Sequence, residues 1–464
     1  MTSSEETVPG SFRDPSGFLF WRNGELYRQV NEIYREHYDL LISSGLCREL
    51  QEEGLLIAHE ECGPGMARTP GAYKVIRPAL VPFISYPYEW CFSQLKDAAL
   101  LTLAIQKKAL EHGMSLKDAS AYNVQFVNGR PLLIDTLSFE KYPEGRPWVA
   151  YRQFCQHFLA PLALMAHRDV RLNQLSRLHL DGVPLDLASA LLPARTRLKF
   201  SLLSHVHLHA RSQKRYADKP VQGRHRPMGR FALQALLNSL ETAVKKLRWQ
   251  PRGSEWAEYY DHTNYSDQAL EFKGRLVTDF LQQLSPRHVC DIGANTGFFS
   301  RLASRLGIPT VALDIDAAAV EKNYLQCRRG IEKFLLPLVG DITNPNPGIG
   351  WENRERMPLL QRVPVDTVLA LALVHHLAIA NNLPLAKIAD FFSRICRSLV
   401  IEFIPKDDSQ VRLLLATRED IFPDYHAAGF EKEFQRYFAI ERREAIAQSE
   451  RILYLMSSKV HAGK

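Results

Sequence analysis

Val289-Cys290-Asp291-Ile292-Gly293-Ala294-Asn295-Thr296-Gly297-Phe298-Phe299 runs from an apolar strand through an acid into a glycine-bearing turn and on into a helix. Gly293 and Gly297 lack Cβ atoms, so the backbone there can turn sharply and approach a ligand closely. The helix that follows directs its unbonded N–H groups into the same space. Phe298, Phe299, Leu302 and Leu306 recur on one face, and Gly307 stands where a C′ glycine ends a helix. The stretch predicts a nucleotide-handling turn, and the first decision is which nucleotide it takes.

A dinucleotide fingerprint requires G-x-G-x-x-G so that a pyrophosphate can lie against bare backbone. Counting from Gly293, the second and third glycine positions hold Asn295 and Phe298, so that fingerprint fails. What remains, D-x-G-x-N-x-G after a strand, resembles the first motif of the class I S-adenosylmethionine-dependent methyltransferases. The resemblance implies that Asp291, Gly293, Ala294, Asn295 and Gly297 wrap the methionine end of S-adenosyl-L-methionine. An acid suits that cationic end, whereas it would repel a pyrophosphate.

From this turn onward strands and helices alternate, which argues for a parallel sheet covered on both faces. Thr310 to Leu313 reads as a strand ending in Asp314-Ile315-Asp316. Asp314, first after the apolar run, is the candidate for ribose hydroxyls, and Asp316 reads as a helix start. Phe334 to Val339 contains Pro337, which cannot donate to a central ladder and so belongs to an edge strand. The family resemblance puts Asp341 near the adenine amino group and Ile342 against the ring. Asp366 to Leu373 and Ser398 to Ile404 supply two more strands. Tyr437 to Ile446 and Arg451 to Met456 read as a closing hairpin. The expectation is an α/β, Rossmann-like seven-stranded methyltransferase sheet with a terminal antiparallel hairpin.

Val374-His375-His376-Leu377 follows the fourth strand, where a methyl acceptor should enter; His375 and His376 are candidate bases, and loop packing is the alternative. Trp256 to Ser266 precedes the first helix of this half, and Tyr265 is a candidate cofactor contact, with simple aromatic packing as the alternative. Asn-Pro-Pro-Tyr is absent after the fourth strand, which argues against methylation of DNA bases. Pro347 to Arg356, the His-His pair and Ile401 to Lys406 resemble a bacterial group of nodulation-protein-like methyltransferases.

The first half opens on a hairpin: Phe18 to Trp21 and Glu25 to Val30 flank Arg22-Asn23-Gly24, and Asn-Gly suits a type I′ turn. Leu95, Ala98, Ala99, Thr102, Ile105 and Ala109 then recur at helical spacing up to Gly113. Asp118-x₄-Asn123, a hairpin around Asn128-Gly129 and Asp135 follow in order. Helix, D-x₄-N loop, hairpin and acid resemble the catalytic half of the protein-kinase and small-molecule phosphotransferase superfamily. The resemblance implies Asp118 as base, Asn123 and Asp135 as Mg²⁺ ligands with ATP, and Arg28 or Lys74 as the phosphate-clamping cation. Leu116-Lys117 and Thr136-Leu137 depart from the family pattern and no glycine-rich loop is visible. An α+β kinase-like domain, active or degenerate, is the expectation.

With 464 residues at about 150 per domain, two or three domains are expected, and 46% apolar content lets each bury a core. The sequence divides into a kinase-like domain at 1–194, a basic helical linker at 195–254 and a methyltransferase domain at 255–464. Between Arg195 and Arg252 fourteen Lys and Arg face only Asp218 and Glu241. That surplus suits a nucleic-acid surface or a solvated connector; the second is preferred because no aromatics interleave with the charges. His205, His207 and His209 alternate, as on a metal-binding strand, but the surrounding arginine and lysine would repel a cation. Seven scattered cysteines without a C-x-x-C pair, no signal peptide and no long apolar run point to a cytoplasmic chain with no membrane segment. A small-molecule or glycan-like acceptor is the expected substrate; a bifunctional kinase-methyltransferase and a binding scaffold are the alternatives.

Overall fold

A computed structural model describes residues 6–210, 227–251, 267–330, 332–363, 365–416 and 418–460. Packing divides the chain into two units: Met1–Gln250 with Gly348–Arg356, and Pro251–Pro347 with Met357–Lys464.

The first unit carries an antiparallel sheet of β1 (Glu6–Thr7), β2 (Gly17–Arg22), β3 (Glu25–Asn31), β4 (His59–Cys62) and β5 (Ala72–Pro78), in the order β1-β2-β3-β5-β4. The β2–β3 turn is made by Asn23 (φ 53°) and Gly24 (φ 81°), the paired positive φ values that Asn-Gly tolerates. The helix Phe92–Glu111 ends just before Gly113 (φ 71°), as its spacing predicts. After it, β6 (Met114–Leu116) pairs with β9 (Phe139–Lys141), while β7 (Val124–Val127) and β8 (Arg130–Leu133) form a hairpin through Asn128 and Gly129.

Part of the basic stretch belongs to this unit's core. The helix Arg230–Lys246 lays Leu233, Leu237 and Leu240, all fully buried, toward the helix Phe92–Glu111, and Lys107 pairs with Glu241 at 2.7 Å. The alternating histidines are helical, not extended. Leu203–Leu208 is a π-helical turn, whose wide winding still puts His207 on the side away from His205 and His209. His207 is held by Ser189 (2.8 Å) and Thr196 (3.0 Å), His205 by Tyr151 (2.8 Å) and Ser239 (2.9 Å), and His209 stacks on Tyr151. These are structural partners. Most of the Ala217–Gly229 linker segment and all of Trp256–Ser266, Tyr265 included, lie outside the described residues.

The second unit is built on β10 (Val289–Ile292), β11 (Thr310–Asp314), β12 (Leu335–Val339), β13 (Val365–Ala370), β14 (Cys396–Phe403), β15 (Phe438–Ala445) and β16 (Ile452–Ser458). They form one sheet in the order β12-β11-β10-β13-β14-β16-β15. The first five strands are parallel, and β16 and β15 close the far side antiparallel. β12, with Pro337 opposite Ala312, has a single neighbour, so the missing N–H leaves no ladder gap. The helix Asp267–Leu284 buries Leu276, Val277, Phe280 and Leu281 against Val289, Leu369, Val400 and Leu453. Each such side chain contributes roughly 1.5–3 kcal/mol by leaving water.

β13 stops at Ala370, three residues before the expected end. Ala372 adopts φ 50°, which a β-carbon makes unfavourable, and its N–H donates to Glu402 Oε2 at 2.7 Å. The apolar run therefore continues past the strand into a turn whose backbone is held by a buried carboxylate.

Candidate functional site

The sheet order reverses between β10 and β13, and at such a switch point the connections leave in opposite directions and open a crevice at the carboxyl ends of the strands. A cavity of about 260 Å³ lies there. Asp291 and Gly293–Asn295 follow from β10, Asp314 from β11, Gly340–Thr343 from β12, and Leu371–Leu373 with His376 from β13.

The turn after β10 is fixed by its own backbone. The N–H groups of Gly293 and Ala294 both donate to Leu313 O, at 2.9 and 3.0 Å, and Gly297 N–H donates to Ala294 O at 2.8 Å. Asn295, at φ 50°, donates its N–H to Asp314 Oδ2 at 2.7 Å, so the turn and the second strand's acid are joined. Asp314 Oδ1 accepts from Asp316 N–H at 2.8 Å. Gly293 (φ 77°) lines the cavity, and a Cβ there would stand 3.3 Å from Leu373 Cδ1.

Gly297 has a different reason for being glycine. At φ 81° it starts the helix Phe298–Arg305, and a Cβ would fall 2.4 Å from Asn323 Nδ2. Asn323 is clamped by Arg301 at 2.8 Å. Gly297 is not among the lining residues; its bare face receives a neighbouring helix, not a ligand.

Burial dominates the electrostatics. Asp291 is pushed up to about 6 by burial, opposed by the Ser300 hydroxyl, which donates to its Oδ2 at 2.5 Å. Asp314 is pushed up to about 6, again by burial, against the backbone N–H groups of Asp316, Asn295 and Ile315. Asp341 accepts from the Thr343 N–H (2.8 Å) and hydroxyl (2.6 Å) at a more open rim. Three carboxylates thus face the cavity, with Ile342 beside Asp341.

The histidine pair is split. His376 lines the cavity and burial lowers it to about 4. His375 lies behind, 1% exposed, lowered first by burial and then by His376, Arg451 and Lys273; its Nδ1 has no hydrogen-bond partner among the described residues. Sequence spacing treated the two alike, whereas the turn presents one.

Lys273 is a lining residue that sequence reasoning missed. It is 1% exposed, its Nζ lies 2.6 Å from Glu402 Oε2 and sits 4.5 Å from the Phe299 ring centre. The available signal was a lysine at a core-face position of an amphipathic helix, in step with Ala269, Leu276, Val277 and Phe280.

In the first unit Asp118, Asn123 and Asp135 are brought together. The Asn123 side chain bonds Asp118 and donates to Ser138 Oγ at 3.2 Å; Ser138 Oγ donates to Asp135. Arg28 Nη1 lies 2.5 Å from Asp135 Oδ1, and Leu137 N–H donates to the same oxygen at 3.1 Å. Lys74, the other candidate cation, pairs with Glu61 at 2.7 Å. Burial raises Asp118, with Asp135 adding to the effect. Asp135 is also pushed up by burial, but Arg28 and its hydrogen bonds outweigh that and leave it lowered. Among the described residues no group of three or more His, Cys, Asp or Glu is placed to hold a metal ion, and no helix is long and apolar enough to cross a membrane.

The second unit is thus an α/β unit with an acid-lined cavity at a sheet switch point. The chain is 35% identical over 455 residues to nodulation protein NoeA of Rhizobium meliloti (strain 1021), covering 96% of this chain and 95% of that one. It belongs to the NoeA nodulation-protein family. No family profile matches the chain. Among solved structures it is similar to the bifunctional kinase-methyltransferase WbdD (16% identity, 47% of this chain and 45% of that one, TM-score 0.30). It is also similar to magnesium protoporphyrin IX methyltransferase of Synechocystis PCC 6803 with bound SAH (16%, 44% and 92%, TM-score 0.31). At these scores the structural similarities carry no inference about activity.

Proposed function

We propose that this chain is an S-adenosyl-L-methionine-dependent methyltransferase acting on a small-molecule or glycan-like acceptor. The carrying observation is the cavity's charge: among the described lining residues, Asp291, Asp314 and Asp341 stand against one lysine and no arginine. A pyrophosphate would be repelled by that lining, while a sulfonium and an ammonium are attracted. The residues present fit the cofactor. Asp291 would hold the ammonium, Asp314 the ribose hydroxyls, and Asp341 with Ile342 the adenine, against backbone from Gly293, Ala294 and Asn295. Gly297 contributes by fixing the turn. Bound there, the cofactor supplies an electrophilic methyl on sulfur.

The chain's own part is alignment. Burial keeps His376 unprotonated at neutral pH, so its ring can accept a hydrogen bond from an acceptor hydroxyl and orient it. A value near 4 also makes it a weak base, which limits it to receiving a proton late in the transfer. His375, away from the cavity, supports the turn. Isothermal calorimetry of the full chain with S-adenosylmethionine tests the reading: one-to-one binding is expected, and absence of binding overturns it.

The convergence of Asp118, Asn123 and Asp135 favours a second reading, a bifunctional enzyme that also uses ATP and Mg²⁺. Arg28 already occupies Asp135, so a metal would have to displace that pair. Titration with ATP·Mg²⁺ separates the two readings: binding supports the second activity, and its absence leaves the first unit as a scaffold.

A further inference from the structure

We propose that Lys273 binds the carboxylate of the cofactor's amino-acid end; this rests on the methyltransferase reading above. The amino-acid end of S-adenosylmethionine is a zwitterion. Asp291 answers its ammonium, but a cavity lined by three carboxylates would repel its carboxylate unless a cation stands beside Asp291. Among the described lining residues Lys273 is the one lysine or arginine, and its charge is felt at Asp291.

The surroundings explain how a buried lysine paired with Glu402 can take a second anion. Arg451 Nη1 lies 3.7 Å from Glu402 Oε1, and Arg451 Nε lies 2.7 Å from Asp408 Oδ2. Charges therefore alternate along Asp408, Arg451, Glu402 and Lys273, and Arg451 draws off part of the negative charge that Lys273 would otherwise meet alone. An ammonium carries three N–H donors, so it can serve Glu402 and a ligand carboxylate together. Phe299, with Lys273 Nζ 4.5 Å from its ring centre, limits the directions the ammonium can take. Glu402 Oε2 also holds the Ala372 N–H, which ties Lys273 to the turn carrying Leu373 and His376.

The test compares S-adenosylhomocysteine with its decarboxylated analogue, which keeps the adenosine and the amine, by calorimetry. Wild-type protein should prefer S-adenosylhomocysteine by about 10- to 100-fold, the worth of a charge-assisted hydrogen bond. Lys273→Met should lose that preference or reverse it, because the remaining carboxylates repel the ligand's own. Lys273→Met/Glu402→Gln leaves no unpaired buried carboxylate and should likewise show no preference for S-adenosylhomocysteine, so loss of the pair does not stand in for misfolding. Equal binding of both ligands by wild type, or a preference retained by either variant, overturns the assignment while leaving the methyltransferase reading intact. If wild type binds neither ligand, both fall.

Discussion

Two acid clusters, one in each unit, differ in how their charge is answered. Asp135 is met by Arg28, the Ser138 hydroxyl and the Leu137 N–H, which together overcome its burial and lower it. Asp291 and Asp314 are buried at least as deeply, but hydroxyl and N–H donors are their nearest partners, and both rise to about 6. A carboxylate neutralised from within the fold contributes to the fold. One kept beside a cavity without a full counter-charge is poised for a cation from outside. The contrast teaches that clustering alone does not mark a ligand site; what matters is whether the protein has already supplied the opposite charge.

Removing Arg28 should do the most damage. Arg28→Met strands Asp135 in a largely buried site and should destabilise the first unit by about 3 kcal/mol in urea unfolding, because an uncompensated buried charge remains. A near-neutral result would mean that Asp135 is not held by that pair. Asp291→Asn comes next: S-adenosylmethionine affinity should fall about 10- to 100-fold by calorimetry, while Asp118→Asn leaves it unchanged. Equal effects of the two substitutions would erase the distinction between the clusters.

The pH dependence is smaller and runs in opposite senses for ligand and fold. Both cavity acids have folded values near 6, above the ordinary 3.8. Stability from that upward shift is fully present below 3.8 and lost as pH rises through about 6. Affinity for a cationic cofactor needs the ionised form, so it should drop as pH falls through about 6; a flat calorimetric profile from pH 7.5 to pH 5, by roughly half-unit steps, would contradict the assignment. The smallest effect on binding belongs to His376→Asn. It should leave cofactor affinity within about twofold while lowering turnover about tenfold once an acceptor is found.

Much of this was legible in sequence because the signals are local. Asn23-Gly24 and Asn128-Gly129 announce their hairpins through the φ values they tolerate. The runs at β10, β11 and β12 announce strands, and Pro337 announces an edge. The turn from Asp291 to Asn295 and the acids at 314 and 341 line one cavity, as strand-end positions imply. What escaped is settled by distance along the chain. Lys273 and Glu402 are 129 residues apart, so nothing near either reveals the pair. Gly297 reads as a ligand-facing glycine until Asn323 is seen filling its space, and His375 and His376 are indistinguishable until the Ala372 turn points one inward. Residues 348–356 lie between two strands of the second unit in sequence yet belong to the first, which composition does not signal.

The chain of alternating charges from Asp408 to Lys273 bears on the order in which the protein comes together. Arg451 immediately precedes β16, and β16 pairs along β14 with Leu453 opposite Glu402. A nascent chain that has emerged only to residue 404 already holds the described residues that line the cavity, yet Glu402 then answers Lys273 without Arg451 and without the neighbouring strand. The alternating row of charges is therefore completed only when β16 pairs with β14, after every strand of the parallel part of the sheet has already been made.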